Sequence, residues 1–338
     1  MIRAAGTFGT IAAVVLGTAI AVAQQTAPAT PAPVPAGLPD WAYTPPPPPG
    51  SPPPPTALPA DDSAVVRIPG TERTMTRGAL RGTTEIPDWY PEDRKGTVPA
   101  VVRSGREGVR ACGFCHLADG SGRPENAPVN GYSPTYFIQQ MADFKNGVRR
   151  SADPRKANTN IMIAIAKAAT AEEVDAAAAF FAAQPYPRRL KVIESKTAPK
   201  VRLQGGMHMA VPAAEGGGTE PIGDRIVEVP DDNLRAEARD TRLGWTAYVP
   251  VGMVDRGRQL AAKHQCALCH GARLEGLGPV PALAGRSPSY TMRQLFDIKT
   301  GARRGPWAAL MTPVVGAMSV AEMTAVSAYA ASLPPSAR

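Results

Sequence analysis

Cysteine is scarce. The 338-residue chain has four, too few to staple a fold of this length with disulfides. Aromatic residues make up only 6%. Beyond the N-terminus no apolar run is long enough to span a bilayer, which excludes a multi-span membrane protein. No Lys/Arg tract exceeds a pair such as Arg149-Arg150 or Arg303-Arg304. That argues against nucleic acid as a partner, although the net charge is +8. Proline (37) and glycine (32) are abundant instead, together about a fifth of the chain. This is too much for one uniformly packed fold, and without a G-X-Y period it is not collagen. The length allows about two domains.

Residues 1–23 read as an export signal: one cation (Arg3), an apolar stretch, and Ala21-Val22-Ala23 as a cleavage site. The expected location is the periplasm, with cleavage after Ala23. Residues 24–62 read as a Pro-rich, disordered arm; 15 prolines fall between 28 and 59, and the expected role is a semi-rigid spacer. Residues 63–98 form an irregular leader.

The remainder is organised by an internal repeat. Gly131–Tyr136 matches Gly285–Tyr290 at an offset of 154, and Gln140–Arg150 matches Gln294–Arg304 at the same offset. After a five-residue shortening, Glu172–Pro185 matches Ala321–Pro334. The two copies occupy 99–187 and 251–338. Each reads as helical: a first helix (Val101–Ala111 and Met253–His264), a middle helix opening on Ser-Pro, and a last helix stopped by proline. The connection, 188–250, reads as short strands and loops. The excess charge sits in the copies, +4 over 99–190 and +6 over 251–338.

All four cysteines fall in two C-x-x-C-H motifs, Cys112–His116 and Cys266–His270. This spacing is the haem c attachment signature. Two thiols one helical turn apart reach the two vinyl groups of one porphyrin, and the next residue, His116 or His270, is delivered to the iron. The competing readings are weaker. No βαβ pattern supports a thioredoxin-like couple, and the pairs are too far apart for a zinc finger. Two disulfides leave the adjacent histidines unexplained. The cofactor expected is therefore haem c, two per chain, covalently attached. For the sixth ligand, Met162 and Met311 are in register before the last helix, whereas Met141, Met318 and Met323 lack a methionine counterpart. His208, in the connection, is a minor alternative; His264 is too close to Cys266 to swing over. Tyr136 and Tyr290, also in register, are assigned to the haem surroundings. No catalytic residue stands out.

At this point the chain resembles the class I cytochromes c, and its duplication resembles the two-domain, diheme periplasmic cytochromes of the c-four type. The resemblance covers both copies but neither the arm nor the connection. It implies a mainly α fold: two tandem class I cytochrome c domains joined by an irregular, partly β segment. It implies that the Pro281 carbonyl fixes the proximal ring of His270; copy one has Ala127 there, with Pro128 beside it. It also implies close packing of first and last helices, Gly257 with Tyr329, and Gly105 or Gly108 with Phe180. His/Met ligation leaves no open iron position, so the expected function is one-electron transfer, not enzymatic catalysis. The expected partners are redox proteins with acidic docking surfaces, with a membrane-associated oxidase or dehydrogenase complex as a candidate. The register pair Arg149/Arg303, with Arg150/Arg304, is a docking rim, a propionate contact or a solvated helix end. The alternatives are a diheme peroxidase or sulfur-compound oxidase, which needs a labile distal ligand, or the haem subunit of a dehydrogenase.

Overall fold

The computed structural model describes Met1 and residues 33–82 and 85–335; the export-signal reading falls outside the described residues. The arm carries a one-turn helix, α1 (Asp40–Tyr43). The leader has a two-stranded hairpin, β1 (Val65–Arg67) with β2 (Thr74–Thr76), followed by α2 (Arg77–Arg81). Copy one contains α3 (Ala100–Arg103), α4 (Cys112–His116), α5 (Pro134–Lys145), α6 (Ala157–Ala168) and α7 (Ala171–Ala183). The connection supplies β3 (Leu190–Glu194), β4 (Thr197–Pro199), β5 (Val201–Gln204), β6 (Met207–Ala210), β7 (Thr219–Pro221), β8 (Val227–Pro230), α8 (Asn233–Glu237) and β9 (Trp245–Val249). Copy two repeats the pattern with α9 (Met253–Lys263), α10 (Ala267–His270), α11 (Pro288–Lys299), α12 (Pro306–Gly316) and α13 (Val320–Ser332). The fold is mainly helical, with the β structure largely in the connection. Among the described residues no single helix is long and apolar enough to cross a membrane.

The local signals explain the helix starts. Ser133 and Ser287 cap α5 and α11 by accepting from the Tyr136 and Tyr290 amides, with proline at the first turn of each. Thr170 with Glu173, and Ser319 with Glu322, form complete capping boxes on α7 and α13. The first helix differs between copies. In copy two α9 runs as expected. In copy one it stops at Arg103, short of the expected Ala111, because Gly105 and Gly108 adopt φ of +61° and +74°. Those conformations suit glycine and break a helix. The methionine segments are themselves helical, α6 and α12.

Within copy two, α9 lies directly on α13. A Cβ placed on Gly257 would stand 2.0 Å from the Ala325 carbonyl oxygen and 2.7 Å from Tyr329 Cβ, so the expected glycine–aromatic contact exists. In copy one neither Gly105 nor Gly108 meets Phe180; their neighbours are the Val109–Ala111 backbone and Ala168. The early end of α3 moves both glycines away from α7. We expect Gly257→Ala to cost more than about 2 kcal/mol, because the obstruction is backbone rather than a flexible side chain. Gly316→Ala, with nothing within 4 Å, should change stability by no more than about 1 kcal/mol, towards stabilisation. Thermal unfolding of the two variants side by side checks this.

The connection is less irregular than its sequence reads. Its main sheet has the order β3-β9-β8, with β3 parallel and β8 antiparallel to β9. The face carrying Leu190, Ala247 and Val249 packs with Met207, Met209 and Ile226 onto Ala325, Ala328 and Ala331 of α13. The connection is thus bonded to copy two through a shared apolar core.

The arm needs a boundary correction. Residues 38–44 belong to the folded body, not to a disordered spacer. Ala42 and Tyr43 are fully buried, and the Tyr43 hydroxyl donates to Asp297 Oδ1 at 2.7 Å. Arg293 of α11 donates to the Ala42 carbonyl at 2.7 Å, and Lys156 of copy one donates to the Tyr43 carbonyl at 2.9 Å. Thr44 donates to Gly206 of the connection at 3.0 Å. One tyrosine and three backbone carbonyls therefore fasten the arm to both copies and to the segment between them. A burial enforced by two distant helices leaves no local periodicity to read.

Candidate haem-binding sites

Each C-x-x-C-H motif forms one short helical turn, α4 or α10, which brings both thiols and the histidine to one end of a helix. His116 donates through Nδ1 to the Ala127 carbonyl at 2.7 Å, and His270 does so to the Pro281 carbonyl at 2.8 Å. The positions correspond at the repeat offset. Copy one therefore uses Ala127 itself, and Pro128 is not needed: a backbone carbonyl performs the task whatever the side chain. The bond fixes each ring and leaves Nε2 as its second nitrogen. Burial lowers the pKa of both histidines below the ordinary value, against the opposing effect of the carbonyl bond. Neutral imidazole, with a lone pair available to a metal, is favoured.

The structure gathers the first ligand set. Cys112, Cys115, His116 and Met162 line one open cleft, together with Val101, Ile165 and Ala177. A second, larger cleft meets it at His116, Phe137, Met141 and Met162. Met141 also lines both, which the repeat alignment alone did not single out. For copy two the correspondence is carried by register and packing. Met311 lies on α12 as Met162 does on α6, half-buried against the core that holds Met318 and Met323. Cys266 packs with Leu274, Ala284 and Ala330. Met318 (2% exposed) and Met323 (fully buried) are core residues. His208 lies on β6 and lines a different cleft, with Trp41 and Arg225, from which His116 is absent.

None of the four cysteines is paired in a disulfide. Burial pushes Cys112 up to about 12 and raises Cys115 and Cys266 as well. A reactive dithiol couple or a zinc thiolate site calls for the opposite shift. Among the described residues no group of three or more His, Cys, Asp or Glu side chains is placed to hold a metal ion.

Of the arginines in register, the inner pair does not form a docking rim. Arg149 and Arg303 are each 8% exposed and interlock between the copies in near two-fold fashion. The Gln140 Oε1 accepts from Arg149 Nη1 and Arg303 Nη2, both at 2.9 Å. The Gln294 Oε1 accepts from the same two residues at 3.0 Å. Arg149 also donates to the Tyr290 hydroxyl at 3.2 Å, and Arg303 to the Tyr136 hydroxyl at 3.0 Å. Backbone bonds Arg150 N to Ala302 O and Arg304 N to Val148 O complete the seam. Burial raises the Tyr136 phenol, but Arg303 and Arg149 outweigh it and hold the pKa below its ordinary value. Tyr136 and Tyr290 both face the larger space beside His116. Arg150 and Arg304 are exposed.

The buried positive charge is incompletely answered. Among the described residues, Arg149, Arg286, Arg293 and Arg303 have no carboxylate within 4.0 Å, and Arg286 Nε and Arg303 Nε are buried without partners. Lys156 is 6% exposed; burial, with Arg293 adding repulsion, pushes it down to about 7. Arg149, Arg293 and Lys156 all face the space beside His116. A group bringing its own carboxylates to that space fits these residues, and haem, with two propionates, is such a group.

Comparison with known proteins agrees with this geometry. The cytochrome c family model matches residues 254–334. The thiosulfate dehydrogenase electron acceptor of Stutzerimonas stutzeri (strain A1501) is 28% identical over 226 residues, 66% of this chain and 79% of that protein. Cytochrome c-554(548) of Halomonas halodenitrificans is 37% identical over 65 residues, 19% of this chain and 78% of that protein. Among solved structures, thiosulfate dehydrogenase from Marichromatium purpuratum aligns at 24% identity and a TM-score of 0.43, over 68% of this chain and 38% of that one. This chain spans little more than a third of that structure's length. With both C-x-x-C-H motifs in place, and a relative matched over most of its own length at 37% identity, the chain belongs to the cytochrome c family.

Proposed function

We propose that the protein is a periplasmic two-haem electron carrier that takes single electrons from a dehydrogenase, with a sulfur-oxyanion dehydrogenase as the first donor to test. The observation that carries the reading is the duplicated C-x-x-C-H turn with each histidine held through Nδ1 by the equivalent carbonyl, at 2.7 and 2.8 Å. Bound haem supplies the Fe(III)/Fe(II) couple. Around it, Cys112 and Cys115, and Cys266 and Cys269, would make the thioether links. His116 and His270 would ligate through Nε2, their rings kept from turning by Ala127 and Pro281. Met162 and Met311 would supply the remaining ligand to each iron and keep substrate off it. The guanidiniums of Arg149 and Arg293, desolvated and short of anions, would receive propionate charge. The donor class is supported by the relative named as a thiosulfate dehydrogenase electron acceptor.

The test is expression with export and haem-maturation machinery. The expected protein gains the mass of two haems, shows the weak band near 695 nm of Fe(III)–Met ligation, and does not bind carbon monoxide when reduced. It should be reduced by a thiosulfate dehydrogenase with thiosulfate. A high-spin or CO-reactive haem in the native protein would overturn the carrier reading in favour of an enzyme with an open iron site.

A further inference from the structure

The two copies present their motif faces to solvent very differently. We infer that the chain closes the first haem's thioether face with its own leader and connection, and that the second copy's face is the port where an acidic redox protein docks. The inference rests on the electron-carrier reading above.

In copy one, the C-x-x-C turn is roofed from two directions. From the leader, Ile86 packs on Phe114, Ala111 and Ala118; a Cβ on Gly113 would stand 2.4 Å from Ile86 Cδ1. From the connection, the Arg239 guanidinium lies 3.8 Å from the centre of the Phe114 ring and donates to the Phe114 carbonyl. Arg123 donates to the Ala236 carbonyl at 3.2 Å and pairs with buried Glu125 at 2.7 Å. Trp89 of the leader donates to the Ala238 carbonyl at 2.7 Å and joins the two halves of the roof.

Copy two has the same turn and the same following loop, each loop closed by one bridge, Arg123 with Asn126 and Leu277 with Val280. Among the described residues nothing covers this second face to a like degree. Leu268, which stands where Phe114 does, is 72% exposed, and Leu277, which stands where Arg123 does, is 60% exposed. Cys269, Gly278 and Pro279 are exposed as well, whereas Pro124 and Glu125, the counterparts of Gly278 and Pro279, are buried. Exposed leucines on a turn that carries a redox centre form an apolar contact of the kind desolvated in transient electron-transfer encounters. With Arg286, Arg293 and Arg303 buried, the exposed charges described in copy two are Arg256, Arg258, Lys263, Arg273, Lys299 and Arg304 against Asp255; Arg273 flanks the face in sequence, as does Lys263, which pairs with Glu322 at 3.1 Å. The complementary partner surface is an apolar patch ringed by carboxylates.

The test uses the haem-loaded, fully reduced protein and hexacyanochromate(III) as an inert, anionic paramagnetic probe. The amides of Leu268, Leu277 and Gly278 should broaden, and those of Phe114 and Arg123 should not. As a protein probe, oxidised acidic plastocyanin should accept electrons about tenfold more slowly from Leu277→Glu, and from Leu268→Glu/Leu277→Glu, at low salt. The gap should close as salt is raised. Arg239→Ala should admit the probe to the first face. Equal broadening on both faces, or unchanged rates in the leucine variants, overturns the port. Salt-insensitive self-association abolished by Leu277→Glu overturns it too, in favour of a second copy of the chain. Failure to attach haem or to cycle reversibly defeats the carrier reading instead, so the two failures are distinguishable.

Discussion

Met162→Ala is expected to leave the protein folded while making one of its two haems reactive to carbon monoxide. Half of the intensity near 695 nm should disappear, and one potential should fall by something on the order of 0.1 V, within the ~0.8 V span that axial ligands command. The side chain is half-buried in the same cavity as Cys112, Cys115 and His116, so truncation opens space beside the iron position without removing a main core residue. Met311→Ala should produce the same change at the other haem, and the double variant should bind two carbon monoxide molecules. Met141→Ala is the informative control, because Met141 lines the same space but has Leu295 as its counterpart. It should leave both haems inert. Reactivity in Met141→Ala, with none in Met162→Ala, would transfer the ligand role to Met141.

Arg303→Ala should lower stability by about 2–4 kcal/mol. It deletes charged donors to Tyr136, Gln140 and Gln294, and a charge-assisted bond of this kind contributes about 1.5–3 kcal/mol, more where its acceptor is left buried and unpaired. Because Arg149 donates to the same two glutamine oxygens, the double variant should cost clearly less than the two singles added together. Arg303→Lys should recover little, since an ammonium cannot span the amide and the phenol as the planar fork does. Chemical unfolding of the haem-loaded variants measures all three. Additivity would mean that the two arginines act as separate surface residues.

The haem chemistry was legible because it is written in side chains at fixed spacing. Two C-x-x-C-H motifs, Ser-Pro helix starts and a capping box are local signals, and repetition tests each against its copy. What escaped the sequence was carried by backbone or by distant packing. Ala127 serves through its carbonyl, which no residue type announces. The short α3 follows from two glycines at positive φ, and glycine alone does not reveal the sign of φ. The helices α6 and α12 were not read from the sequence, which marked only Met162 and Met311 there; α12 carries Pro313 in its interior, a residue that argues locally against a helix. Arg149 and Arg303 read as surface charge, and only the seam between copies shows them buried.

The fastening at residues 38–44 changes what the prolines after it can be. Thr56 and the Ala57 amide are held by Glu237, and Leu58 is buried with Trp89 and Tyr90. The run from Pro45 to Pro55 is therefore moored at both ends, and it turns midway, where the Ser51 amide donates to the Pro48 carbonyl at 3.1 Å and Gly50 adopts a φ of +82°. A flexible sequence of that length would lose much more freedom on being held at both ends. A single proteolytic cut within the run should accordingly leave a nicked protein that migrates as one folded body and separates into two pieces only in denaturant.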